Sequence, residues 1–137
     1  MSIPDPTELE HAIEHRIRVR YCETDRMGVA HHGSYVDWFE EARTEWMRAQ
    51  GASYRAMEDG GDLLQVVHVD LRYLSPVTYD DEIVIRVGLL ERRHASVTIG
   101  YEVRRGDDDR AVARGRTTLA CVGRNGKLRR LPEGLRG

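Results

Sequence analysis

Between Glu23 and Ser34 the chain reads ETDRMGVAHHGS, a short run holding two carboxylates, adjacent histidines and two glycines. Those residue types support four kinds of chemistry. Glu23, Asp25, His31, His32 and Cys22 are possible metal ligands. Adjacent residues point apart, however, and no His-x-x-x-His or Cys-x-x-Cys spacing is present. Gly28 and Gly33 precede a helical pattern and suggest a phosphate cradle, but neither the dinucleotide nor the P-loop arrangement of glycines occurs. Asp and Gly also make turns with no further role, with Asp25 forming an Asx-turn and the histidines solvated. Acyl transfer is the fourth. A helix start offers unpaired N–H groups and a partial positive charge, able to polarise a carbonyl and hold the oxyanion formed when it is attacked. A nearby carboxylate then attacks directly or activates water. Without a Ser/His pair or a well-placed Cys, a thioester suits such a site, its carbonyl being more reactive than an amide's.

The elements flanking the run must position it. Upstream, Ile17, Val19 and Tyr21 alternate with Arg16, Arg18 and Arg20 from His15 onward, predicting a half-buried strand. Downstream, Tyr35, Trp38, Phe39, Ala42, Trp46 and Ala49 recur at steps of three and four, giving one apolar helical stripe. Ser34 and Asp37 have capping-box spacing, and Gly51 offers a stop. After Gly60 and Gly61 the period becomes two. Val67, Val69, Leu71 and Tyr73 form one strand; Ile83, Ile85, Val87 and Leu89 a second; Ala95, Val97, Ile99, Tyr101 and Val103 a third; and about 111–122 a fourth. The order is strand, long helix, four strands: an α+β domain with one helix across an antiparallel sheet. One helix covers such a sheet incompletely and edges need protection, so a homo-oligomer is expected.

Bulk properties narrow the class. The chain has 137 residues, enough for one core. Its formal charge is −2, which gives no pull toward nucleic acid or an anionic membrane. Cys22 and Cys121 are far apart in sequence, which argues against a disulfide framework and for a reducing cytoplasm. No apolar run approaches the roughly 20 residues of a membrane span, and the acidic MSIPDPTELEH start lacks the apolar segment of a signal peptide. Residues 1–13 are expected as a flexible lead-in, 14–132 as the domain and 133–137 as a tail.

The run RVRYCETDRMGVAHHGSYVDWFEEARTEWMRAQG resembles the opening of hotdog-fold acyl-CoA thioesterases of the 4-hydroxybenzoyl-CoA thioesterase type. Asp25, Gly28, Val29, Tyr35 and EEARTEW carry the likeness. The His32-x-x-Tyr35 pair is most similar to the bacterial branch associated with the Tol–Pal envelope system. LRYLSPVTYDDEIVIRV and RNGKLRRLP resemble the family's later strands and closing hairpin, so the likeness spans about residues 13–132.

The resemblance implies a curled sheet of about five strands wrapped around the helix. It implies dimers or tetramers with active sites between protomers, and acyl-CoA hydrolysis without metal or cofactor. It further implies Asp25 as nucleophile or general base, the His32 backbone N–H as oxyanion donor, and Gly28, Val29 and Tyr35 at the substrate. Arg92 and Arg93, with Arg129 and Arg130, are expected at the coenzyme A phosphates, arginine being suited to phosphate geometry. A non-catalytic acyl-CoA-binding or scaffolding hotdog domain is the alternative. Ser34 stands where many relatives carry Asn and His31 where they often carry Tyr or Trp, while Met27 replaces a small residue and is expected to reshape the pocket. Glu23 is expected as a solvated strand-end acid, and His68 and His94 as exposed.

Overall fold

A computed structural model describes residues 8–136. Residues 1–7, most of the expected lead-in, and Gly137 lie outside that range. Five strands, β1 (Glu10–Arg18), β2 (Leu63–Tyr73), β3 (Glu82–Arg92), β4 (Ser96–Arg105) and β5 (Ala111–Val122), form one antiparallel sheet in the order β1-β3-β4-β5-β2. The long helix α1 (His32–Ala49) lies across it, and a short helix α2 (Tyr54–Asp59) links α1 to β2. This is the α+β hotdog architecture that the alternating periods imply.

The stripe on α1 is the centre of the core. Tyr35, Trp38, Phe39, Ala42, Trp46 and Met47 are buried, and Phe39 stacks on Tyr101 of β4 with ring centroids 4.1 Å apart. A large apolar side chain such as Phe39 or Met47 contributes about 1.5–3 kcal/mol by leaving water. Phe39 reaches the sheet because β5 carries Gly115 beneath it; a Cβ there would stand 2.7 Å from the ring. The Trp46 indole donates to the His11 carbonyl at 2.9 Å, where β1 bulges between Glu10 and Ile13. Gly51 ends the helix at φ +81°, a conformation glycine adopts without strain.

Several local expectations are corrected. The strand β1 starts within the expected lead-in and stops at Arg18. Tyr21 leaves the alternation in a 3₁₀ turn and is 77% exposed. The buried stripe ends at Met47, and Ala49 faces solvent. Ser34 is not the cap; it lies inside the first turn, after His31 at the N-cap. A bulge between Val66 and His68 breaks the phase of β2 and leaves Val67 exposed. His68 is exposed as expected, and His94 lies in the turn before β4. Glu133–Leu135 forms a 3₁₀ turn with Leu135 buried against the core.

Candidate active site

A small hairpin delivers the chain from β1 to α1. The Asp25 N–H donates to the Val29 carbonyl at 2.9 Å, and the His31 N–H donates to the Glu23 carbonyl at 3.0 Å. Gly28 closes the turn at φ +81°, with its N–H on the Asp25 carbonyl. The Asp25 carboxylate accepts the Met27 N–H at 2.8 Å and is otherwise exposed. One step beyond His31 the helix begins, so the N–H groups of His32 and Gly33 belong to the first turn, where no helical carbonyl precedes them. Carboxylate and helix start therefore share one hairpin. A second tie, from the Ala30 N–H to the Val77 carbonyl at 2.8 Å, fixes that hairpin to the link between β2 and β3.

Glu23 is the hub of this arrangement, contrary to the solvated acid expected. It is only 6% exposed. Its carboxylate accepts the Trp38 indole N–H at 2.8 Å and the Arg20 backbone N–H at 2.7 Å, while the exposed Arg20 guanidinium stands at 3.4 Å. That pairing holds the Arg20 guanidinium above its ordinary value, first through the hydrogen bond to Glu23. The Glu23 carbonyl also accepts the Ser34 hydroxyl at 2.9 Å. The His31 ring is half-buried and rests on Ser34, with Nε2 3.2 Å from its hydroxyl. The one sequence signal for this hub is the Glu23–Trp38 spacing across the loop, legible only once the loop is folded.

Beside the hairpin lies a cleft of about 320 Å³. Val29, Ala30 and Tyr35 form one wall; Tyr73, Leu74, Ser75 and Pro76 form the other. Tyr35 packs edge-on against Tyr73, 5.0 Å between centroids. Burial, then the neighbouring Tyr73, pushes the Tyr35 phenol up to about 12, so it stays neutral near pH 7 and lines the cleft. Met27 is 84% exposed and not part of either wall.

The structure thus gathers Asp25, Gly28, Val29, His32 and Tyr35. It does not bring Arg92 and Arg93 to them within one chain. β3 is 11 residues long and starts next to Arg18, so Arg92 stands about 33 Å along the strand. There Arg92, Arg93, His94, Arg130 and Arg136 surround a basic hollow of about 260 Å³. Arg129 is already engaged by Asp62 and the Gly61 carbonyl. A larger open hollow of about 640 Å³, by Gly61 and Arg129, is lined by Arg124, Asn125, Lys127 and Leu128 and by no carboxylate. Among the described residues no group of three or more His, Cys, Asp or Glu is placed to hold a metal ion, and no helix is long and apolar enough to cross a membrane.

The chain thus places a carboxylate on the hairpin that leads into a helix start, beside an apolar cleft, on a sheet wrapped around that helix. Residues 19–137 match the Thioesterase-like superfamily, and the chain belongs to it. A protein of Aquifex aeolicus (strain VF5), provisionally named an esterase, is 35% identical over 119 residues, covering 87% of this chain and 91% of that protein. An acyl-CoA thioesterase named YbgC, from Haemophilus influenzae (strain ATCC 51907 / DSM 11121 / KW20 / Rd), is 28% identical over 83% of each chain. The crystal structure of a DHNA-CoA thioesterase from Staphylococcus aureus superposes with a TM-score of 0.84 at 29% identity, covering 88% of this chain and 80% of that one.

Proposed function

We propose that this chain hydrolyses an acyl-CoA thioester to the free acid and coenzyme A, with Asp25 as the reacting carboxylate. The observation that carries the reading is the shared hairpin: it holds Asp25 on one arm and runs from the other directly into the start of α1, beside the cleft. The thioester carbonyl sits against the His32 N–H, polarised by the helix start. With Asp25 as general base, water adds its oxygen to the carbonyl carbon and gives its proton to the carboxylate. The tetrahedral oxyanion is held by the N–H, and its collapse breaks the C–S bond; the departing thiolate takes up that proton. With Asp25 as nucleophile, its oxygen bonds to the carbonyl carbon and the C–S bond breaks, releasing the coenzyme A thiolate; water then opens the mixed anhydride to the free acid and the Asp25 carboxylate, and the proton it releases goes to the thiolate. Gly28 and Val29 shape the approach and Tyr35 packs against the acyl group.

The likeness in sequence to the 4-hydroxybenzoyl-CoA type and to the Tol–Pal-associated branch supports placing the chain near those members. The basic hollow at Arg92 and Arg93 is assigned to the coenzyme A phosphates of a site completed by a second protomer. Edge strand β2 supports that assembly: Val66 and Val67 are both more than two-fifths exposed along an unpaired edge, a surface that a lone chain leaves wet. Two free cysteines, Cys22 exposed and Cys121 buried, fit a cytoplasmic setting.

The test is Asp25→Asn, which keeps shape and removes charge. Release of free thiol from a panel of acyl-CoAs should fall by roughly 10²–10⁴ while folding and coenzyme A binding persist. Retention of turnover within a few-fold, with loss instead in His32→Ala, would place the chemistry elsewhere, since Ala keeps the backbone donor. Sedimentation of a fully active monomer would remove the shared-site assignment.

A further inference from the structure

Arg43 occupies an unusual position. It lies on the buried face of α1 and is 6% exposed. Its Nε donates to the Tyr54 hydroxyl at 2.7 Å and its Nη1 to the Tyr101 hydroxyl at 3.3 Å; the latter hydroxyl is 2.6 Å from Thr117 Oγ1. No carboxylate among the described residues pairs with it. Burial raises both tyrosine phenols above their ordinary value, so neither supplies negative charge near pH 7. A guanidinium taken out of water without an anionic partner is costly, and the cost is recovered when an anion arrives.

The register shows how an anion reaches it. On β2, Tyr73, Leu71 and Val69 stand opposite Ala113, Gly115 and Thr117 of β5, residues that face the helix. Tyr73, Leu71 and Val69 therefore face the helix too. Yet Tyr73 is 50% and Val69 42% exposed, so α1 leaves this edge uncovered. Along α1, Tyr35, Phe39 and Arg43 follow at successive turns. Tyr35 meets Tyr73, Phe39 lies over Gly115 at the level of Leu71, and Arg43 reaches the Tyr101 hydroxyl, which in turn meets Thr117 at the level of Val69. The two rows run side by side for about 12 Å. One end opens on the cleft beside the Asp25 hairpin; the other ends at Arg43 and Tyr54.

We propose that this groove between α1 and β2 receives the acyl chain and that Arg43, with Tyr54, forms a subsite for an acyl group whose far end carries a carboxylate. The inference rests on the thioesterase reading above, which supplies the thioester anchored at His32. The apolar middle, Leu71 and Val69 with the buried Phe39 beneath them, suits the methylene chain of a dicarboxylic half-thioester. The charged end replaces the missing partner of Arg43, and the Tyr54 hydroxyl lies next to it to donate a second hydrogen bond.

The experiment compares suberoyl-CoA with octanoyl-CoA, chains of equal length that differ in the terminal carboxylate. The quantity read is the ratio of their kcat/KM values within one protein preparation, which does not depend on the fraction folded. Wild type should hydrolyse suberoyl-CoA at least as well as octanoyl-CoA. Arg43→Gln should lower the ratio by at least about tenfold, from the strength of a charge-assisted hydrogen bond. Tyr54→Phe, on the partly exposed rim, should lower it by a few-fold. A merely structural Arg43 would lower both rates alike; a ratio unchanged within twofold in Arg43→Gln, or a tenfold wild-type preference for octanoyl-CoA, overturns the subsite. Binding of the corresponding thioether analogues, followed by calorimetry, reads the same ratio without turnover. If neither ester is cleaved but the binding ratio still falls in Arg43→Gln, the subsite stands and the hydrolase reading fails. Equal binding by wild type and variant removes the subsite.

Discussion

Replacing Glu23 with Gln tests whether the buried carboxylate holds the Asp25 hairpin on the helix. The acid accepts two hydrogen bonds with separate oxygens, from Trp38 Nε1 at 2.8 Å and from Arg20 N at 2.7 Å, at a position 6% exposed. Gln has one acceptor oxygen. Whichever donor it keeps, the other faces an amide NH₂ and is left unpaired. Loss of one charge-assisted bond, with desolvation of the stranded donor, amounts to about 2–4 kcal/mol. For 137 residues, with an unfolding entropy of about 2.1 cal/mol/K per residue, that lowers Tm by about 7–14 °C. Thermal and urea unfolding of Glu23→Gln, Trp38→Phe and the double variant form the cycle. Trp38→Phe removes the stranded donor, so the double variant should be more stable than the two single losses sum to, by at least about 1 kcal/mol. A Glu23→Gln melting point within about 2 °C of wild type, or additive losses, would refute the hub. Thiol release at a temperature where the variant is fully folded should also drop, because the hairpin that carries Asp25 loses its anchor.

Two further outcomes follow from the same geometry. Gly115→Ala puts a Cβ 2.7 Å from both the Phe39 ring and the Asp70 carbonyl, so the urea midpoint should fall by the equivalent of about 1–3 kcal/mol; an unchanged midpoint would show that α1 is not seated as described. Arg92→Ala with Arg93→Ala should raise KM for acyl-CoA by about tenfold with kcat nearly intact, and the difference should shrink at high salt. A fall in kcat at constant KM would remove the basic hollow from coenzyme A binding.

The long elements were legible because burial imposes a period. Tyr35, Trp38, Phe39, Ala42 and Trp46 share a helix face, and β3, β4 and β5 alternate, since each has one covered side. Failures cluster where chain geometry departs from its period. Tyr21 continues the alternation on paper, but the backbone has already turned. Val67 falls on the far side of a bulge that period two does not announce. The six residues of α2 are too few to show a stripe. Glu23 reads as solvated because an acid at a strand end is usually wet; its burial depends on an indole 15 residues later. Asp25 and His32 came from a motif, and the structure supplies what the motif omits: the hairpin that joins them.

The cleft has walls of unequal rigidity, and this bears on how its chemistry can diversify. Tyr35 is 2% exposed and packed against Trp38 and Tyr73, so changing it disturbs the core. Across from it, Leu74 is 43% exposed and Pro76 faces solvent, while the main chain there is held separately by the Leu74 and Ser75 N–H groups on the Val112 carbonyl. The Leu74 and Pro76 side chains can be exchanged at little cost to folding, surface substitutions being usually within about 0.5 kcal/mol. Selection for a different acid therefore has an inexpensive route through Leu74 and Pro76, and libraries built to retune the acyl range should begin there.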